Sequence, residues 1–148
     1  MTPWYRIFAA SSAMPMPEAI REFLANRYPS VSASFAADDS GWYQADLLVD
    51  GISLQLERYL ADEPGIRAEL NSWAAWLETR EDAPEHVRLM ERMIQTAQLF
   101  TLQSKEESAH AESVCLALCR FLAETTAGVY QIDERGFFAA DGRLLVGE

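Results

Sequence analysis

The segment VCLALCRFLA, residues 114–123, contains a single charged side chain, an arginine. A helix that is apolar on nearly every side cannot keep one side in water, so this segment predicts a buried helix at the centre of a small domain. Upstream, Ser104 and Glu107 have the spacing of a capping box, and Gly128 suits the end of a helix. The sequence therefore predicts a long buried helix near residues 105–126.

The clearest β signal is the dipeptide Asp50-Gly51, which separates two alternating apolar segments and is typical of a two-residue hairpin turn. A turn at this position fixes how the two strands pair. The resulting register brings apolar side chains together on one face, in the pairs Val49 with Ile52, Leu47 with Leu54, and Ala45 with Leu56. This agreement between turn and pattern predicts a hairpin with one buried face.

The other face of this hairpin is polar, with an aromatic pair at one end. In the same register its pairs are Asp46 with Gln55, Gln44 with Glu57, and Trp42 with Tyr59. Rigid aromatic area ringed by polar acceptors is typical of protein interfaces. The sequence therefore predicts a binding surface formed by Trp42, Gln44, Asp46, Glu57 and Tyr59. Two competing interpretations are that a helix covers this face and that the aromatic side chains cap the sheet edge.

The remaining segments complete an α+β pattern. Prolines and apolar spacing predict helices at about residues 17–27 and 62–80 and a third that starts at Pro84, whose far end is ambiguous. Alternation predicts strands at about 4–10 and 31–37. Residues 95–103 fit both helix and strand, and a strand at about 97–102 is favoured. A terminal meander follows Gly128. The predicted order β-α-β-β-β-α-α-β-α-β-β indicates a mainly antiparallel sheet packed against helices, in a single globular domain of residues 1–148.

The charge balance excludes some partners. The chain has 23 Asp and Glu against 12 Lys and Arg, a net charge of -11, which repels phosphate backbones and anionic lipid headgroups. We therefore expect neither a nucleic-acid nor a membrane partner. No segment resembles a signal peptide or a membrane span, and the only cysteines, Cys115 and Cys119, lack disulfide geometry on one helix face. Reduced thiols favour a cytoplasmic location.

Metal, cofactor and nucleophile chemistry has no support in the sequence. On one helix, His110 would lie about 140 degrees from Cys115 and about 180 degrees from Cys119, so the three cannot converge on one metal ion. None of the seven glycines builds a phosphate-binding loop, and no nucleophile-elbow pattern accompanies His86. We expect no metal and no cofactor.

Three functional hypotheses remain. The first is a small acidic protein-interaction module without catalytic activity, of the immunity or inhibitor type, that binds a basic protein. The second is a small-molecule binding domain with a pocket between the β-meander and the helix that carries Trp73 and Trp76. The third, more remote, is a hydrolase that uses the diagonal carboxylates Asp46 and Glu57, which requires a cleft containing both. Pairing with a second copy through a sheet edge stays open.

Overall fold

The computed structural model describes residues 2–148, which contain eight strands and four helices. The strands are β1 (Tyr5–Ala9), β2 (Val31–Asp38), β3 (Gly41–Val49), β4 (Ile52–Leu60), β5 (Gln98–Ser104), β6 (Gly128–Ile132), β7 (Gly136–Phe138) and β8 (Leu144–Gly147). The helices are α1 (Pro17–Arg27), α2 (Ile66–Glu78), α3 (His86–Gln95) and α4 (Ala109–Thr125). The strands form one antiparallel sheet in the order β2-β3-β4-β5-β1-β6-β7-β8. The predicted α+β class is confirmed.

Each face of the sheet has its own pair of helices. Consecutive residues of a strand point to opposite faces, so Ile7 and Phe8 of β1 mark the two sides. Ile7 belongs to the buried cluster that contains Leu24 of α1 and the apolar residues of α4. Phe8 belongs to the cluster that contains Leu70 of α2 and Leu89 of α3. Helices α1 and α4 therefore cover one face, and α2 and α3 the other.

Helix α4 is the predicted buried helix, but it begins four residues later than expected. Its N-cap is Ser108, whose hydroxyl accepts a hydrogen bond from the amide of Ala111 at 3.0 Å. The predicted cap at Ser104 is wrong because this residue ends β5, where its hydroxyl donates to the carbonyl of Glu106. Seven α4 side chains are buried against the sheet, while Arg120 is exposed.

The predicted hairpin register is confirmed from Gln44 to Glu57, but the predicted position of Trp42 is wrong. Opposite β3, Ala36 pairs with Gln44 and Ala37 with Trp42, so Tyr43 is an extra residue in a β-bulge. A bulge reverses the alternation of side chains beyond it. Trp42 therefore faces the core, where it is 2% exposed and its indole nitrogen donates to the carbonyl of Pro15 at 2.7 Å.

The strands of the C-terminal half agree with the prediction, except that there is one more of them. The favoured interpretation of residues 95–103 is confirmed, since β5 covers Gln98–Ser104 between β4 and β1. The terminal meander contains β6, β7 and β8, one strand more than the predicted order. The first strand, β1, pairs with β5 and β6 and therefore lies inside the sheet.

Candidate functional site

The face that carries α2 and α3 is left uncovered over β2, β3 and β4. The cross-strand register defines three rows of side chains there: Ser32, Leu48 and Ser53; Ser34, Asp46, Gln55 and Gln103; and Ala36, Gln44, Glu57 and Thr101. We call these eleven residues the open sheet face. Its β2 members are small and exposed, and Asp46 and Leu48 of β3 are exposed as well. This part of the sheet is therefore a largely polar surface open to solvent.

The carboxylates of the open sheet face have no cationic partner. Neither Asp46 nor Glu57 forms an ion pair with any residue in the range 2–148. Glu57 accepts a hydrogen bond from the hydroxyl of Tyr59, which lies two residues further along the same face. Burial, together with this hydrogen bond, raises the pKa of Tyr59 to about 12, so the hydroxyl stays a donor at neutral pH. The face therefore keeps two negative charges available to a binding partner.

An arginine lies beside the open sheet face, and its charge is already neutralised. Arg6, opposite Thr101, donates through Nη1 to Gln131 at 2.8 Å and to Asp133 at 2.7 Å. Its guanidinium also lies 5.1 Å from the centre of the Trp73 ring. Burial alone would raise the pKa of Asp133, but the hydrogen bonds from Arg6 and Gln131 outweigh it and lower the pKa. Because Arg6 is held by these partners, it does not cancel the charges of Asp46 and Glu57.

The structure adds an aromatic residue to this face that the sequence analysis did not select. Trp4 is 36% exposed, and the alternation along β1 puts it on the same side as Arg6. Its amide donates to Asp133 at 3.2 Å, and its carbonyl accepts from the amide of the same residue. The sequence alone does not predict the location of Trp4, because the position of β1 inside the sheet depends on distant segments. Trp4 supplies the exposed indole that we had expected from Trp42.

Four of the five predicted surface residues lie together as expected. Gln44, Asp46, Glu57 and Tyr59 share one face, with Gln44 directly opposite Glu57. Trp42 lies on the opposite face, inside the core, because of the bulge at Tyr43. The binding role of the four remaining residues stays a prediction.

The hydrolase hypothesis requires a cleft that contains both Asp46 and Glu57. The two residues are diagonal neighbours on the sheet as predicted. Three clefts of the described chain, of about 610, 540 and 360 Å³, are lined by other residues. These three clefts do not support the hypothesis, which stays a prediction.

The aromatic residues of α2 pack over β1 and β7. The rings of Trp73 and Trp76 lie against Phe137 of β7, with centroid distances of 5.7 and 5.9 Å. Trp73 also contacts Phe8 of β1 edge-on, at 6.3 Å. These contacts account for both rings without a ligand, and the pocket between this helix and the β-meander stays a prediction.

Both cysteines are buried thiols with little nucleophilic character. Cys115 and Cys119 lie on the sheet side of α4 and are inaccessible to solvent. Burial raises the pKa of Cys115 to about 12, and it raises the pKa of Cys119 well above its ordinary value. The thiolate is the reactive form, so neither residue is set up for catalysis at neutral pH.

We expect both thiols to resist Ellman's reagent in the native protein at pH 8 and to react fully after denaturation in urea. Because their folded pKa values lie above the unfolded value of 9.0, the stability that they contribute is complete below pH 9 and is lost as the pH rises above it. The urea midpoint at pH 10.5 should accordingly be lower than at pH 8. Rapid labelling of the native protein at pH 8 would contradict this assignment.

Residues 2–148 contain neither a metal-binding cluster nor a membrane-spanning helix that would indicate a function. No group of three or more His, Cys, Asp and Glu side chains in that range could hold a metal ion. None of its helices has the length and apolar character needed to cross a bilayer. Comparisons with protein-family models, with curated proteins and with solved structures found no match to this chain.

Proposed function

We propose that this chain is a cytoplasmic protein-interaction module without catalytic activity, and that a basic surface of another protein docks on the open sheet face. The observation that carries the proposal is the presence of two carboxylates without ion pairs, Asp46 and Glu57, on a sheet face that no helix covers. An uncovered face of this kind is the natural place for a second surface to pack.

The shape of the face favours a broad, flat contact. Side chains on the edge strand are small, namely Ser32, Ser34 and Ala36, so a partner can approach the backbone closely. Strands β3 and β4 are each paired on both sides, and the bulge at Tyr43 lies at one end of the β2–β3 ladder. A rigid surface loses little conformational freedom when it binds, which reduces the cost of association.

The chemistry of the face favours a cationic partner. Asp46 and Glu57 can accept charge-assisted hydrogen bonds from arginine or lysine, and such bonds are stronger than those between neutral groups. The amides of Gln44 and Gln55 lie beside them and can serve as further acceptors and donors. The net charge of -11 would also steer a basic protein toward the molecule before contact.

Aromatic side chains stand at the margins of the face. The partly exposed indole of Trp4 and the half-buried ring of Tyr59 can each stack on an incoming guanidinium. Large aromatic side chains are common among residues that dominate binding energy. The proposed contact therefore combines central carboxylates with aromatic groups at its rim.

A paired substitution tests this proposal. Asp46→Asn with Glu57→Gln removes two charges at nearly constant shape, and Glu22→Gln with Glu81→Gln is a matched control because both residues are exposed and lie off the face. We expect a basic partner, captured from source-cell lysate at physiological salt and then purified, to bind the control like the native protein. We expect its affinity for the open-face pair to fall by about 30-fold, equivalent to about 2 kcal/mol.

The result that overturns the proposal is equally concrete. If the purified partner binds the open-face pair as tightly as the control pair, the docking surface lies elsewhere. If no partner is retained at physiological salt, the chain does not act through this face. Circular dichroism of all variants confirms that differences in binding do not arise from unfolding.

A further inference from the structure

A cleft of about 360 Å³ differs in charge from the open sheet face, because arginines line it. Arg88 and Arg92 come from α3, and Arg143 comes from the turn before β8. Glu85 and Glu124 also line the cleft, but neither forms an ion pair with these arginines. Three guanidinium groups against two carboxylates give this lining a small positive excess, in a chain of net charge -11.

Two of these arginines lack the partners that other arginines of the chain have. Arg92 donates to the carbonyl of Ala127 at 2.9 Å, beyond the end of α4, which is an ordinary structural role. Arg88 and the side chain of Arg143 form no hydrogen bond, ion pair or ring contact with residues in the described range. Their donors are therefore available to a ligand.

The positive charges of these arginines also repel one another. Arg88 and Arg92 are one helical turn apart, where like charges disfavour the helix. A further guanidinium, that of Arg120, packs so closely on Gly142 that a methyl group added there would overlap it. Arg120 lines the neighbouring cleft of about 540 Å³ and is not part of this site. A bound anion would relieve the repulsion between Arg88 and Arg92.

The backbone of Arg143 is held in a turn before any ligand arrives. Its amide donates to the Asp141 carboxylate at 3.0 Å, and its carbonyl accepts from the amide of Ala139 at 2.9 Å. The amide of Gly142 closes the same turn by donating to the carbonyl of Ala139 at 2.9 Å. A preorganised turn lowers the entropy cost of ligand binding.

The cleft also has an apolar part. Leu89 and Val129 are buried members of the cluster under α3, and both line the cleft. Half-buried Leu145 stands beside them. A ligand with an apolar body next to its charged group can therefore contact both parts of the site.

We propose that this cleft binds a small molecule through an oxyanion group, phosphate or carboxylate, with Arg88 and Arg143 as its principal donors and Arg92 in support. Guanidinium groups match both kinds of oxyanion because they donate two parallel hydrogen bonds. The apolar body of the ligand lies against half-buried Leu145, which packs beside the buried Leu89 and Val129. This site is independent of the basic partner proposed for the open sheet face.

The test uses the full chain and defined probes. Phenyl phosphate, benzoate and inorganic phosphate are titrated separately at constant ionic strength maintained with sodium chloride, and binding is followed by amide chemical shifts and by thermal unfolding. We expect saturable binding of phenyl phosphate or benzoate, with shifts concentrated around residues 85–92 and 139–145. Tighter phenyl phosphate binding would identify a phosphate ligand, and tighter benzoate binding a carboxylate ligand.

Matched variants make the assignment specific. Arg88→Gln with Arg143→Gln should weaken binding of the tighter probe at least tenfold, while Arg27→Gln with Arg67→Gln, which removes the same charge outside the cleft, should leave it unchanged. Equal weakening by both pairs would reduce the effect to general electrostatics and overturn the proposal. The absence of saturable binding for every probe would overturn it as well.

Discussion

Replacing Gly136 with alanine is expected to lower the free energy of unfolding by about 3 to 5 kcal/mol. Gly136 begins β7 with a φ angle of 120°, a conformation that residues with side chains rarely adopt. An added Cβ would lie 2.0 Å from the carbonyl oxygen of Val146 and 2.9 Å from the Cα of Gly147. These are backbone atoms of the paired strand β8, so the clash cannot be relieved by a side-chain rotation. Loss of the β7–β8 ladder should follow.

Gly51→Ala is the matched control for this substitution. Gly51 also has a positive φ angle, 82°, but no atom lies within 4 Å of an added Cβ. Only the backbone strain remains there, and we expect a cost of about 1 kcal/mol. Urea denaturation followed by tryptophan fluorescence measures both variants. Equal losses for Gly136→Ala and Gly51→Ala would show that contact with Val146 does not matter.

Replacing Arg58 with methionine is expected to lower the free energy of unfolding by about 3 kcal/mol. Arg58 is 5% exposed and points into the core face of β4. Its Nε donates to Gln98 at 2.8 Å, and its Nη1 donates to the carbonyls of Trp42 at 3.0 Å and Ser40 at 3.2 Å. Methionine fills much of the volume but leaves these acceptors without a donor.

The network around Arg58 extends to a segment that belongs to no strand. The side-chain Nε2 of Gln98 donates at 2.8 Å to the backbone carbonyls of Ser11 and Ala13, which fixes the segment between β1 and α1. The same segment provides the carbonyl of Pro15 for the indole of Trp42. Loss of Arg58 should therefore loosen residues 10–16 as well as the turn that precedes β3, and amide hydrogen exchange would report faster opening in both.

Arg67→Met is the control for Arg58→Met. Arg67 is an exposed residue of α2 that donates one hydrogen bond to the carbonyl of Ile94 at 3.1 Å. Because water can replace this donor, we expect a change within about 0.5 kcal/mol. A loss of similar size in both variants would mean that the hydrogen bonds of Arg58 are worth no more than a surface contact.

The parts of the fold that the sequence predicted are those fixed by short-range chemistry. The Asp50-Gly51 turn and the apolar alternation around it set the β3–β4 register, and the structure has that register from Gln44 to Glu57. The same applies to α1, whose predicted span agrees with Pro17–Arg27. Each of these depends on neighbours within about ten residues.

The errors arise where one local signal competes with another. Ser104 has the spacing of a helix cap, but strand pairing with Leu54 holds it in β5, and Ser108 caps the helix instead. Alternation extended from Val49 would put Trp42 on the polar face, but a single extra residue, Tyr43, turns it into the core. A periodic pattern cannot reveal a one-residue bulge when both faces tolerate aromatic side chains.

The composition of the candidate surface could be predicted from the sequence, but its exposure could not. Its polar composition follows from the hairpin register, so Gln44, Asp46 and Glu57 were found. Whether a helix covers them depends on where α2 and α3 pack, and that depends on contacts with Phe8, Val129 and Phe137, which lie far away in the chain. The arginine-lined cleft joins α3 to the turn before β8 and was invisible for the same reason.

The interior position of β1 has a consequence for synthesis on the ribosome. Ala9 pairs with Gln98 and with Gly128. The first strand to be translated therefore has no pairing partner until most of the chain has emerged. Until then the apolar side chains of Ile7 and Phe8 have no sheet to shield them. Contacts of such long sequence separation form slowly and expose strand edges meanwhile. Pairing of β1 with β5 and β6 is therefore a late event in the synthesis of the chain. Until it occurs, chaperones can bind the exposed apolar side chains.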